Sequence, residues 1–226
     1  MIEVKNLLKY YTISGQKLCA AQDVNFSVAK GEMVSIVGHS GSGKTTLLSL
    51  IGGLTKPDDG EVFINKQNIW AMDDNSRSEF RNRGISFIYQ FASLIPTLTT
   101  LENVILPTAF GSERGDFSQK ALQLLDKVGM ADKTQFYPSQ LSGGQQRRVA
   151  IARAFINDPQ IILADEPTGD LDFETEQEIL RLFVDAKNKY KVTFVVVTHD
   201  RGIAAAADRQ LTMTNGILSA GEGSSD

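Results

Sequence analysis

One cysteine, Cys19, stands among 226 residues. A disulfide within the chain is therefore excluded, and such usage suits a reducing compartment. A lone cysteine of this kind reads first as a small buried hydrophobe rather than a reactive thiol. No apolar run approaches the roughly 18 residues that a bilayer-crossing helix needs. The opening stretch "MIEVKNLLKYY" mixes charged with apolar residues and lacks the apolar block of a secretion signal. A cytosolic chain is the expectation. An excess of basic residues is missing too, since the net charge is −4. That balance argues against coating a nucleic acid by bulk electrostatics, so no nucleic-acid partner is expected.

What remains is ordinary globular composition, 42% hydrophobic and 22% charged, enough to bury a sizeable core. The length fits one generous domain, or one domain with a small inserted subdomain. "IEVKN" and "DVNFSVAKG" alternate like half-buried antiparallel strands. "MVSIVG", "QIILAD" and "TFVVVT" are continuously apolar, the pattern of strands covered on both faces. "GEVFIN" and "ISFIYQ" add two further strands. From about residue 93 to 158 the strand signal fades. Ala121, Leu124, Leu125 and Val128 fall there on one helical face, and "GGQQRRVAIARAFI" reads as a second helix. Another helical stretch, "ETEQEILRLFVDAKNK", separates the last two buried strands. "RQLTMTNGILS" predicts a hairpin turning at Asn215-Gly216, and residues from about 220 to 226 have nothing to pack. The predicted class is α/β: a mainly parallel core sheet, an N-terminal antiparallel β-subdomain and an inserted α-helical subdomain.

Loops after parallel strands carry chemistry, and the motifs fall there. Gly38, Gly43, Lys44 and Thr45 satisfy G-x-x-x-x-G-K-S/T between a predicted strand and a predicted helix. Glycine lets backbone N–H groups turn inward to phosphate oxygens that a Cβ would obstruct, and the following helix points its positive end at the same anion. His39, Ser40, Gly41 and Ser42 complete that loop. His39 reads as a solvated histidine rather than a catalytic one. Lys44 supplies charge for the β and γ phosphates, the Thr45 hydroxyl a ligand for Mg²⁺, and Thr46 an α-phosphate contact or simply a helix start.

"IILADEPTGD" ends an apolar strand in two acids. Asp165 suits a Mg²⁺ shell, and Glu166, one residue on, can polarise a water for attack on the γ-phosphate. His199, at the end of "TFVVVTH", is placed to contact that phosphate and orient the water. Gln90, ending "ISFIYQ", offers an amide to Mg²⁺ or water. A second serine–glycine site, "LSGGQ" at Leu141 to Gln145, opens the helix that follows.

Taken together these motifs resemble the nucleotide-binding subunits of ABC transporters, over nearly the whole chain and in the family's order. "LSGGQ" matches the signature, Gln90 the Q-loop, "GDLD" at Gly169 to Asp172 the D-loop, and His199 the H-loop. Tyr11 matches the aromatic position that stacks on adenine, with Tyr10 the neighbouring candidate. The resemblance implies an ABC cassette that binds and hydrolyses ATP with Mg²⁺ in a head-to-tail homodimer. Ser142, Gly143, Gly144 and Gln145, with Asp172, would then serve the partner's nucleotide. It also implies an integral membrane permease docking near Tyr89–Pro107, and a peripheral place on the cytoplasmic face of the inner membrane. "FIYQ…LIPTLTTLENVILP" and "ADEPTGDLD" look like the lipoprotein-release, macrolide-efflux and cell-division group. Lipoprotein release is the first expectation. A regulatory cell-division ATPase and a macrolide or peptide efflux ATPase are the alternatives, and a soluble ATPase of translation or DNA repair stands further off.

Overall fold

The computed structural model describes residues 1–13, 15–111, 115–169 and 171–221. The chain opens with two long antiparallel strands, β1 (Ile2–Ile13) and β2 (Gln16–Val28). Next come β3 (Met33–Val37), α1 (Lys44–Ile51), β4 (Asp59–Ile64), β5 (Gln67–Asn68), α2 (Asp74–Gly84) and β6 (Ile85–Ile88). A helical stretch follows: α3 (Thr100–Ile105), α4 (Ser118–Lys127) and α5 (Gly143–Ala154). The chain then returns to β7 (Ile161–Asp165), α6 (Phe173–Tyr190), β8 (Thr193–Val197), α7 (Arg201–Ala206), β9 (Arg209–Thr214) and β10 (Ile217–Ala220).

Two sheets result. One runs β2-β1-β4-β5 and is antiparallel; the other runs β10-β9-β3-β8-β7-β6. In the second, β9, β3, β8, β7 and β6 are parallel and only β10 opposes its neighbour. Side chains alternate across such strands, and the core divides accordingly. Val34, Ile36, Ile161, Leu163, Val195 and Val197 face α1 and the antiparallel sheet. Met33, Ile162, Ala164, Phe194 and Val196 face a second cluster with Leu125, Val149, Ile151 and Phe183. Continuous apolarity in these strands reflects burial on both faces.

The structure adds to the sequence reading at several points. The predicted first strand ended near Asn6, yet β1 continues to Ile13. Register shifts after Val4 and Leu7, and Asn6 at φ 47°, break the period-2 pattern that would have shown it. Helix α2 went unseen because none of its residues is buried, so it carries no apolar stripe. Its signals are chemical: Asp73 caps it through Ser76, and Arg81 and Arg83 occupy its last turn. The hairpin turns where expected, with Asn215 at φ 48° and Gly216 at φ 83°. Ala220, where the unpacked tail was expected to begin, pairs with Leu211 in the sheet. Residues 222–226 lie outside the described residues.

Candidate active site

Strands β3, β8, β7 and β6 are neighbours, and their C-terminal ends deliver the glycine loop, His199, the two acids and Gln90 to one edge of the sheet. A cleft of about 730 Å³ opens there. Tyr11, Gly38, His39, Ser40, Gly41, Gly43, Lys44, Thr45, Thr46, Gln90, Asp165, Glu166 and His199 line it, so most of the sequence-derived set converges.

The glycine loop is shaped by what its glycines touch. Gly43 sits at φ 105° just before α1, and a Cβ there would stand 2.1 Å from the Ala20 carbonyl oxygen. At Gly41 (φ 79°) a Cβ would meet nothing within 4 Å, because that glycine faces open space. Lys44 folds over the loop, its Nζ donating to the carbonyls of Gly38 at 2.7 Å and His39 at 2.9 Å. Ser42 departs from the rest of the loop. Its side chain is buried off the cleft wall, and its main-chain N–H donates to the His39 carbonyl at 3.2 Å.

The acids face that lysine. Asp165 is buried, and its Oδ2 accepts a 2.6 Å hydrogen bond from the Thr45 hydroxyl. Burial pushes its acid above the usual carboxylate range; the Thr45 bond opposes this, Glu166 adds to it and Lys44 opposes it. Glu166 has φ 48°, a left-handed conformation unusual for a residue with a side chain. Its carboxylate accepts from the Thr198 hydroxyl at 3.2 Å and the His199 main-chain N–H at 3.3 Å. The His199 ring Nδ1 lies 2.8 Å from Glu166 Oε1, so the imidazole is held by this carboxylate.

That contact raises the His199 pKa, through the hydrogen bond first and the negative charge second. The cationic form is favoured in the fold. The pair therefore stabilises fully below the unfolded value and is lost as pH rises through the raised one. The imidazole is largely exposed, which keeps the contribution small. The chain has two histidines, so the shift is open to direct measurement by NMR titration. In nucleotide-free protein His199 should titrate above the ordinary value of about 6.5. Glu166→Gln should bring it back towards that value, and an unmoved midpoint would remove Glu166 as the cause.

The signature residues lie elsewhere. Ser142 and Gly143 are exposed at the N-terminus of α5, and neither they nor Gly144 and Gln145 line the cleft of their own chain. Ser142 and Gln145 bond reciprocally, Ser142 N–H to Gln145 Oε1 at 2.9 Å and Gln145 N–H to Ser142 Oγ at 3.3 Å. This is a capping box. Asp172 also stands off the cleft and caps α6 by accepting from the Thr175 N–H and hydroxyl. Of the two tyrosines, Tyr11 is on the wall; Tyr10 is not, and its ring packs under Lys17 Nζ at 3.7 Å.

Four wall residues escaped the sequence reading: Leu18, Ala20, Phe91 and Arg147. Leu18 and Ala20 share one face of β2, where period-2 spacing was their only signal. Phe91 follows Gln90 directly. Arg147 belongs to α5, and nothing in "GGQQRRV" says which arginine turns inward.

A strand, a glycine loop capping a helix, and two acids ending a parallel strand one place removed in the same sheet define a P-loop nucleotide hydrolase. The ABC transporter family model matches residues 21–169. The chain is 46% identical over 196 residues to the lipoprotein-releasing system ATP-binding protein LolD of Cytophaga hutchinsonii, covering 86% of this chain and 90% of that one. It is 41% identical over 218 residues to the macrolide export ATP-binding/permease protein MacB of Chlorobaculum tepidum, covering 96% of this chain and 33% of that longer one. Among solved structures it matches the ATP-binding cassette MJ0796, a dimer in a post-hydrolysis state bound to ADP and Pi. There the TM-score is 0.91 and the identity 40%, covering 97% of this chain and 98% of that one. The chain belongs to the ABC transporter family. It is the nucleotide-binding ATPase part of such a transporter, converting ATP and water to ADP and phosphate.

Proposed function

We propose that two copies of this chain close head to tail over two ATP molecules and thereby drive a membrane permease that releases lipoproteins from the inner membrane. The observation that carries the dimer is the outward presentation of Ser142–Gly144. A helix N-terminus with free donors is an anion site, and this one is exposed and does not line its own cleft. Each copy then lends it to the triphosphate held by the other's Lys44.

Within one site the roles follow from position. Tyr11 stacks on adenine, and the loop from Gly38 to Thr46 wraps the phosphates through its main chain. Thr45, Asp165 and Gln90 would hold Mg²⁺. The donor set fits: a carboxylate strained by burial beside a second acid gains from a divalent cation, and Mg²⁺ takes its other ligands from phosphates and water. When bound, the ion neutralises charge on the transferring phosphoryl group. Glu166 takes the proton from the attacking water, and His199 holds Glu166 and the γ-phosphate in register.

Support for a permease partner comes from the surface beside Gln90. Phe91 and Phe110 are each 76% exposed, large apolar side chains that a partner would cover. A neighbouring groove is lined by Leu54, Arg81, Phe87, Pro107 and Phe110. It meets the predicted docking segment Tyr89–Pro107 only at Pro107 and otherwise lies outside it. Arg153 of α5 donates to the carbonyls of Ala92 and Ser93, which connects this edge to the signature helix. Among the described residues no helix is long and apolar enough to cross a membrane. A peripheral place on the cytoplasmic face of the inner membrane follows from this reading.

Lipoprotein release is preferred over macrolide export because the LolD relative is matched along 90% of its length, the MacB relative along a third. The test is reconstitution of the chain with its co-purified permease in proteoliposomes loaded with an acylated lipoprotein. ATP-dependent transfer of that lipoprotein to a soluble acceptor is the expected result. ATP turnover that responds to a macrolide and leaves the lipoprotein in the bilayer would reverse the preference.

A further inference from the structure

Three residues beyond the signature glycines, α5 turns a charged side chain into the core. Arg147 is 4% exposed. Its Nη1 donates a 2.5 Å hydrogen bond to the main-chain carbonyl of Glu166. The same guanidinium lies along Gly169, where a Cβ would stand 3.5 Å from Nη1. It also reaches the cleft wall beside Gln90 and Asp165.

The peptide it grips is one that needs holding. Glu166 carries a side chain at φ 48°, a conformation that persists only where the surroundings impose it. Its N–H donates to the Val197 carbonyl at 2.9 Å, which ties it to β8. Its carbonyl accepts from the Gly169 N–H at 3.3 Å and from Arg147. Only the Arg147 bond in this set comes from α5. The left-handed turn decides where the carboxylate points, so whatever fixes the peptide also fixes the aim of the group that takes the proton.

We propose that Arg147 is a positioning residue for hydrolysis. Its buried guanidinium fixes the Glu166 peptide and ties the aim of that carboxylate to the signature helix. This rests on the assignment of Glu166 as general base. It extends the dimer reading, because the two functions of α5 are about 7.5 Å apart along one rigid helix. Ser142–Gly144 at its tip meet the partner's triphosphate while Arg147 holds the catalytic turn of its own chain. Filling one site thereby sets the geometry of the other.

The experiment compares Arg147→Met, which keeps bulk and loses the donors, with Arg147→Lys and Arg147→Gln, which return one. Steady-state kcat and KM for ATP are measured with ATP affinity and thermal midpoint, and Glu166→Gln is the reference. Arg147→Met should lose roughly 30-fold in kcat with KM and ATP affinity within about threefold. Lysine and glutamine should each recover most of that loss. A wild-type kcat in Arg147→Met, with Glu166→Gln inactive, would overturn the proposal and leave the general base in place. Loss of ATP affinity in step with kcat would overturn it as well, since that marks a merely structural role. Should Arg147→Met not fold, Arg147→Leu decides, since it also lacks the donors: a roughly tenfold or greater loss of kcat at unchanged KM supports the role, and wild-type kcat ends it. Full turnover by Glu166→Gln would bring down the general-base assignment and this proposal together.

Discussion

Glu166→Gln should bind ATP as the wild type does and hydrolyse it at least about 100-fold more slowly. The substitution is nearly isosteric, and the bonds around it survive. An amide oxygen accepts from the Thr198 hydroxyl and the His199 N–H as a carboxylate oxygen does. The left-handed peptide is untouched, because its partners are main-chain groups of Val197 and Gly169 and the side chain of Arg147. Basicity is what disappears. Without an acceptor for the water's proton the γ-phosphate stays attached, and contacts that exist only in the closed dimer persist. A nucleotide-dependent dimer should therefore accumulate and be visible by size-exclusion chromatography with light scattering. Phosphate release at an undiminished steady rate would show that another group takes the proton.

How far the chain announced all this depends on which signal each part leaves. Three of the five parallel strands were legible from burial on both faces, which demands near-continuous apolar runs, as in Ile161–Ala164 and Phe194–Val197. The cleft was legible because phosphate chemistry demands glycines, a lysine and acids at fixed spacing. Helix α2 was not, having no buried face, and the second half of β1 was not, its bulges erasing the alternation. Arg147 shows the deeper limit. In "GGQQRRV" two adjacent arginines are chemically identical, and only the packing of α5 against α3, α4 and β6 sends one to the Glu166 carbonyl and the other towards Val128. His199 gives a milder version. Its place at a strand end was readable, while its 2.8 Å contact with Glu166 depends on two loops meeting.

Two inactive variants should rescue one another. Lys44→Ala removes the cation that bridges the loop carbonyls and would face the β and γ phosphates. Gly143→Asp places a carboxylate where the partner's γ-phosphate is to bind, and like charges at that distance repel strongly. The second change costs the monomer little. A Cβ at Gly143 meets nothing within 4 Å, and an acid in the first turn suits the helix dipole. Each homodimer then has two damaged sites and should lose nearly all turnover. In a heterodimer the damage segregates. One site takes Lys44 from the Gly143→Asp chain and Gly143 from the Lys44→Ala chain, and is whole; the other collects both lesions. Random pairing of an equal mixture makes half the dimers mixed, each with one working site of two. Turnover should return to about one quarter of the wild-type rate if the sites fire independently. A value well below a quarter, with dimers formed, would mean that both sites must be filled for either to fire, which is the coupling that α5 and Arg147 are built to transmit. No ATP-dependent association of the two variants with one another, while each chain is folded, would mean that the glycine pair never reaches a partner's phosphate, and the head-to-tail arrangement would fall.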